Sequence, residues 1–318
     1  MIKTVITGGA GFIGSHLADE LVRRGYRVTI IDDLSSGKET NIAHLLREGK
    51  ATFIKDSVTS LSRLESAFAG ARYVFHLAAI ASVPKSIADP KLTHETNATG
   101  TLNVLLAARR NQVTKVVFAS SAAVYGDTGD QPQHEDMLPD PKSPYAVSKL
   151  AGEYYCTVFG RVYALPTAVL RYYNVYGPRQ DPNSEYASVI PRFLLEALRG
   201  KPPAIFGDGE VTRDFTFVKD VVSANLLAAE SEATGIFNIG TGEKSSINHL
   251  ARLITRLTEK SLEPVYREAR PGDIRHSLAD ISRAKSFGYQ PGYRLEEGLK
   301  EIIKEWPTAR QTLATYDH

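Results

Sequence analysis

The amino-acid sequence predicts an α/β protein: a Rossmann-like, doubly wound parallel sheet with a smaller, discontiguous C-terminal substrate domain. Three observations carry that expectation. Short β-branched runs alternate with longer amphipathic stretches through the first half of the chain. Gly8, Gly11 and Gly14 fall between the first such run and the first helical pattern. Beyond Arg171 the rhythm breaks into clusters of Gly, Pro, Asn and Asp.

Taken in order, the candidate strands are 4–7, 27–32, 51–55, 73–77, 115–120 and 168–171. Helical patterns at 12–24, 94–110 and 145–159 are each long enough to cross over a parallel sheet. Then come Gly177-Pro178-Arg179, Asp181-Pro182-Asn183, Lys201-Pro202-Pro203 and Gly207-Asp208-Gly209, which read as loops around short helices. The run Ile236-Phe237-Asn238-Ile239-Gly240 has strand character and is expected to return to the first sheet. The predicted division is therefore 1–174, with a returning strand near 236–240, and 175–318. The tail after Trp306 reads as weakly ordered.

Composition narrows the function classes. In 318 residues, 42% are hydrophobic and 23% charged, which is the usage of folded globular domains. Thirty-eight Lys and Arg against 36 Asp and Glu leave a net charge of +2, so no global field favours nucleic acid or an anionic membrane. The single cysteine, Cys156, cannot form an intrachain disulfide and reads as a small buried hydrophobe. No C-x-x-C or H-E-x-x-H spacing suggests a metal site. No apolar run approaches the roughly 18 residues of a membrane span, and the chain reads as cytoplasmic and unprocessed.

The glycines stand in Val5-Ile6-Thr7-Gly8-Gly9-Ala10-Gly11-Phe12-Ile13-Gly14, with G-x-x-G-x-x-G spacing. A tight structural turn alone could carry such glycines. Strand before, helix after and an acid at the end of the next strand point instead to a dinucleotide site. There the backbone approaches a pyrophosphate and the helix N-terminus meets its charge. The acid is Asp32 or Asp33, about 20 residues on, placed to accept hydrogen bonds from the adenosine ribose and to repel a 2′-phosphate. The expected cofactor is NAD and not NADP. A P-loop is excluded because Ser15 stands where its lysine belongs.

Pro144-Tyr145-Ala146-Val147-Ser148-Lys149 sets Tyr145 and Lys149 one helical turn apart on one face. For a phenol of pKa near 10 to act as a base near pH 7, its pKa must fall by about 3 units, roughly 4 kcal/mol. An ammonium about 4 Å away could supply on the order of 4 kcal/mol at an effective dielectric of 20. A nicotinamide cation adds to the effect. Tyr-x-x-x-Lys is common on amphipathic helices; its place downstream of a dinucleotide turn gives it catalytic meaning.

These segments, together with His76-Leu77-Ala78-Ala79, Ser120-Ser121-Ala122-Ala123-Val124-Tyr125-Gly126 and Arg171-Tyr172-Tyr173-Asn174-Val175-Tyr176-Gly177-Pro178, resemble the extended short-chain dehydrogenase/reductase family, and within it the UDP-sugar 4-epimerases. The resemblance runs from Met1 to about Trp306. It implies that Ser121 bonds the sugar 4-oxygen, that Tyr145 exchanges that hydroxyl's proton, and that Lys149 holds the nicotinamide ribose. It also implies that Gly8, Gly11, Phe12, Ile13, Gly14, Asp32, Asp56 and Asn97 touch the cofactor. Lys55-Asp56 departs from the more usual Gly-Asp pair. Asn174, Arg213 and Arg270 match positions that hold the nucleotide diphosphate, and Asp273 one near its ribose. Val189-Ile190-Pro191 is expected against the base.

Related dehydratases and decarboxylases carry acids where this chain has Ala122 and Ala123, so the resemblance favours reversible oxidation at one carbon. The position of Ser277 holds a bulky tyrosine in epimerases confined to unacetylated sugars, which implies that this chain also takes N-acetylated ones. The expectation is a homodimeric, NAD-dependent UDP-hexose 4-epimerase with UDP-sugar substrates and no nucleic-acid or membrane partner. The alternatives are a nucleotide-sugar dehydrogenase or reductase that releases its oxidised product, and a non-catalytic dinucleotide-sensing regulator. His76, ending a strand in apolar surroundings, reads as structural, and Tyr154 and Tyr155 as packing residues.

Overall fold

The structure is a computed structural model that describes residues 1–129, 131–181, 188–269 and 275–313, with side chains to 305. Seven parallel strands form its central sheet: β1 (Lys3–Thr7), β2 (Arg27–Asp32), β3 (Ala51–Lys55), β4 (Tyr73–His76), β5 (Lys115–Ser121), β6 (Thr167–Tyr172) and β7 (Gly235–Ile239). Their order is β7-β6-β5-β4-β1-β2-β3. The chain winds outward from β1 to β3, then restarts at β4 on the other side of β1. That reversal opens a crevice beyond the carboxyl ends of β1 and β4, where ligands bind in such sheets.

Both faces of the sheet are covered, which is why its strands read as continuous apolar runs. Alternation divides neighbours between two cores: Ile6 faces the core shared with Leu17, Leu21 and Val221, while Val5 faces Leu64, Phe68, Leu105 and Phe159. The first core is closed by α1 (Phe12–Arg23), the second by α2 (Gly100–Arg110) and α3 (Pro144–Tyr163). Ser143 caps α3 by accepting from the Ala146 N–H at 3.2 Å, and Pro144 occupies its first turn. The helix runs beyond the expected 145–159 to Tyr163, whose ring packs edge-on against Phe159 at 4.9 Å between centroids and beneath the Arg109 guanidinium.

The pattern at 94–110 is not one regular helix. Glu95–Thr99 forms a wide π turn, a device common at functional sites. It directs the buried Asn97 side chain to the backbone of Ile80 (2.8 and 3.1 Å) and to Ser148 Oγ (2.9 Å).

After β6 the chain builds a third core from Tyr176, Phe193, Phe215, Phe217, Leu250 and Ile254. It is framed by α4 (Val189–Leu198), α5 (Val218–Glu230), α6 (Ile247–Leu257) and α7 (Leu295–Leu313), with α5 also packing on α1. Residues 307–313 of the tail, expected to be weakly ordered, continue α7, which is seated by Leu299 and Ile302. Two-residue pairings tie this part together, Val175–Tyr176 with Thr216–Phe217 and Thr212–Arg213 with Ser245–Ser246. Among the described residues, no helix is long and apolar enough to cross a membrane.

Candidate active site

Gly8 adopts φ +73°, and a Cβ there would stand 2.6 Å from the Ala78 nitrogen. A Cβ on Gly14 would stand 2.2 Å from the Gly8 carbonyl oxygen. Bare backbone at both positions lets the turn fold onto itself and open the α1 N-terminus to the crevice. Gly8, Gly11, Phe12, Ile13, Gly14, Asp32, Asp33 and Asp56 line that crevice along with Tyr145 and Lys149.

Asp32 and Asp33 are separated by their surroundings. Asp32 is buried, accepting from the Ala10 N–H at 2.9 Å and the Leu34 N–H at 2.8 Å. Burial raises its pKa, and these backbone bonds work against the shift. Asp33 is exposed and caps the Ser35 N–H. Asp56 accepts from the Ser57 N–H and pairs with Arg63 at 3.2 Å. Asn97, expected to touch the cofactor, is buried on the π turn next to the crevice-lining Thr96, and its amide joins Ile80 to Ser148.

Tyr145 and Lys149 are both buried at the mouth of α3. The expectation that Lys149 draws the phenol pKa down is not what this geometry produces. Lys149 Nζ donates to the Ala119 carbonyl at 2.7 Å and lies 5.1 Å from the Phe118 ring, directed toward β5. Burial raises the Tyr145 pKa, opposed by a hydrogen bond with Ser121. Burial also brings Lys149 down to about 8, opposed chiefly by Glu153. An ammonium with that pKa remains mostly charged at neutral pH.

Ser121, ending β5, accepts from the Ala123 N–H at 3.2 Å and lines a second, smaller cavity of about 160 Å³. Ala122, Ala123, Gln133, Asn174, Arg213 and Ser277 complete most of its wall. A third pocket, lined by Val189, Ile190, Phe193, Ile205 and Phe206, shares Asn174 and Arg213 with the second. Tyr172 borders both the first and the second. The three spaces thus form one succession, from the glycine turn through Ser121 to an apolar slot, with Arg213 at the second junction. Arg270 and Asp273 lie outside the described residues.

Sequence reasoning missed Tyr172 and Gln133. Tyr172 stands within a motif quoted above, just past the expected strand 168–171, and was given no role there. Gln133 reaches the cavity because its backbone joins the strand-like segment beside Ser277, with Gln133 N bonded to Leu278 O at 2.8 Å. His76 is structural in geometry: Thr7 Oγ1 and Thr101 Oγ1 lie 2.7 and 2.9 Å from its ring nitrogens, and burial lowers its pKa to about 3.

The sheet order, the glycine turn and the Tyr145/Lys149 pair beside it define a dinucleotide-dependent enzyme of the short-chain dehydrogenase/reductase type. The sequence profile of the NAD dependent epimerase/dehydratase family matches residues 4–240, and the chain belongs to that family. It is similar in structure to the UDP-N-acetylglucosamine 4-epimerase of Methanobrevibacter ruminantium M1 in complex with UDP-N-acetylmuramic acid. That likeness has TM-score 0.93 and 43% identity, covering 96% of this chain and 98% of that one. The Thermotoga maritima UDP-glucose 4-epimerase with UDP-glucose gives TM-score 0.92 and 42% identity over 98% and 100%. The Thermus thermophilus UDP-glucose 4-epimerase complex with NAD gives 0.87 and 37% over 97% and 100%.

Proposed function

We propose that this chain is an NAD-dependent UDP-hexose 4-epimerase. The observation that carries the reading is the succession of three joined spaces, suited in order to a dinucleotide, a hexose and a nucleoside diphosphate. Gly8, Gly11, Phe12, Ile13, Gly14, Asp32, Asp56 and Lys149 fit NAD at the first, since the backbone is bare where a pyrophosphate comes close and a carboxylate faces the ribose. When bound, NAD accepts hydride from the sugar C4 and returns it, and its ring charge favours a phenolate nearby.

Ser121 holds the 4-oxygen. Tyr145 Oη takes the 4-hydroxyl proton as C4 becomes a ketone, and gives it back once the turned sugar is reduced on its other face. Lys149 contributes positive charge beside the reacting atoms. Asn174 and Arg213 hold the diphosphate, Arg213 through the planar fork that suits phosphate oxygens. Ala122 and Ala123 offer no further proton-transfer group in the cavity wall, which favours epimerisation over elimination or decarboxylation. Ser277 leaves room for an acetamido group, so UDP-N-acetylglucosamine and UDP-N-acetylgalactosamine join UDP-glucose and UDP-galactose as substrates. The exposed apolar stripe of Val147, Tyr154, Val158 and Val162 on α3 suits pairing with a second copy about a twofold axis, giving a homodimer.

The test is incubation of purified protein with these four UDP-sugars without added NAD, with products resolved chromatographically. Steady interconversion within each pair is expected. Oxidised product that accumulates only with added NAD would mark a dehydrogenase, and inert protein would refute enzyme activity on UDP-hexoses.

A further inference from the structure

Behind Ser121, Tyr145 and Lys149 lies a buried ion pair that the proposed mechanism does not use. Glu153, one helical turn beyond Lys149 on α3, is 1% exposed, and Arg171 of β6 is 2%. Arg171 Nε donates to Glu153 Oε1 at 2.9 Å and Nη2 to Oε2 at 2.6 Å. Ser120 Oγ donates to the same carboxylate, and the guanidinium lies 4.6 Å from the Tyr125 ring centroid. Stability alone does not account for such a pair, because buried ion pairs are often no more stabilising than apolar residues of similar volume.

Its connections run to the site. Three successive residues of β5 are engaged in turn: Lys149 holds the Ala119 carbonyl, Glu153 the Ser120 hydroxyl, and Ser121 lines the hexose cavity. Lys149 and Glu153 share one face of α3, close enough for the carboxylate to capture the ammonium. The guanidinium engages both carboxylate oxygens, so Lys149 feels the negative charge of Glu153 while its own hydrogen bond goes to β5.

We propose that Glu153, clamped by Arg171, is a positioning residue that keeps Lys149 protonated at the crevice without drawing it into a direct ion pair. The inference rests on the role given to Lys149 above. Lys149 is faced by Tyr145, Glu153 and Cys156 on its own helix, by His76 on β4, by the Phe118 ring and Ala119 carbonyl on β5, and by Arg171 of β6 behind Glu153. His76 stays neutral above about pH 4, and burial pushes the Cys156 thiol up, so neither changes charge near neutrality.

The experiment titrates Lys149 directly in NAD-loaded protein labelled with ¹³Cε-lysine, the signal being assigned by its loss in Lys149→Met. Glu153→Gln should lower the midpoint by about one pH unit or more, as expected for removal of a nearby buried charge. Glu153→Asp, which keeps the charge, should stay near wild type even if turnover falls. Removing one partner strands the other charge; should Glu153→Gln fail to fold, Glu153→Gln/Arg171→Gln carries the test, with a midpoint below that of wild type and of Glu153→Asp. The alkaline limb of the epimerisation rate should follow the same order. A midpoint within roughly 0.3 pH units of wild type in Glu153→Gln, or in the double variant where Glu153→Gln does not fold, would overturn the proposal, since a purely structural pair alters stability without moving that titration. Were wild type to show no epimerisation, the functional reading would fail, while the titration would still judge the pair.

Discussion

Replacing Ser277 with tyrosine sets a ring against the acetamido group of a substrate. The backbone at this position has little room to retreat. Ser277 N bonds to Thr212 O at 3.2 Å, Leu278 N to Gln131 Oε1 at 2.9 Å, Ala279 N to Asp214 Oδ2 at 3.2 Å and Asp280 N to Gln133 O at 2.8 Å. A phenol at 277 must therefore enter a cavity of about 160 Å³ that is also bounded by Ser121, Asn174 and Arg213. Overpacking of this kind costs about 1–3 kcal/mol, roughly a 5- to 150-fold change in rate. That penalty falls on substrates that carry an acetamido group in place of the C2 hydroxyl, a net gain of two carbons and a nitrogen. Measured as kcat/KM for UDP-N-acetylglucosamine relative to UDP-glucose, the ratio should drop by that factor in Ser277→Tyr. Equal loss on both substrates, or wild-type protein inert toward the acetylated pair, would refute the reasoning and leave the epimerase reading in place.

Tyr145→Phe should keep its fold and its NAD while losing roughly 10²- to 10⁴-fold in epimerisation rate, the loss typical of a missing general acid–base; activity within a few-fold of wild type would remove Tyr145 from that role. Protein stripped of cofactor should regain turnover with NAD and not with NADP, because Asp32 repels a 2′-phosphate; equal recovery with both would show the carboxylate serves the turn alone. Gly14→Ala places a methyl 2.2 Å from the Gly8 carbonyl oxygen, so most chains should emerge from purification without NAD when the nucleotide is released and quantified. Full retention would mean the turn can shift without cost to binding.

The sheet was legible because its strands are short β-branched and aromatic runs, so 27–32 and 51–55 match the bounds of β2, buried from Val28 onward, and of β3 at the half-exposed sheet edge. Its neighbours were read a residue or so short or long, as with β5, which continues to Ser121 by pairing with Tyr172. The π turn was not legible, since Glu95-Thr96-Asn97-Ala98-Thr99 has ordinary helical composition and its geometry follows from Asn97 reaching Ile80 across the chain. The site was legible where local spacing sets geometry: the glycines around one turn, and Tyr145 with Lys149 on one helix. It was not legible where partners are distant in sequence. Gln133 meets Leu278, and Glu153 meets Arg171, only through strand and helix packing, and the direction of Lys149 depends on a carbonyl 30 residues away.

The seventh strand has a consequence for how the molecule comes into being. β7 lies beside β6 in parallel register from Gly235↔Ala168 to Ile239↔Tyr172, and the whole segment between them must be synthesised before that edge is covered. A nascent chain halted near Asn174 would present the backbone N–H and C=O groups of β6 to solvent, an open template for pairing with another chain. The intervening core and the sheet edge are therefore completed together, late in translation, and a fragment cut just after β6 is a poor starting point for isolating the cofactor half. The same closure links the two halves mechanically: α5 leads from the outer core directly into β7, so a load on the outer core is passed to the sheet edge next to the strand that carries Arg171.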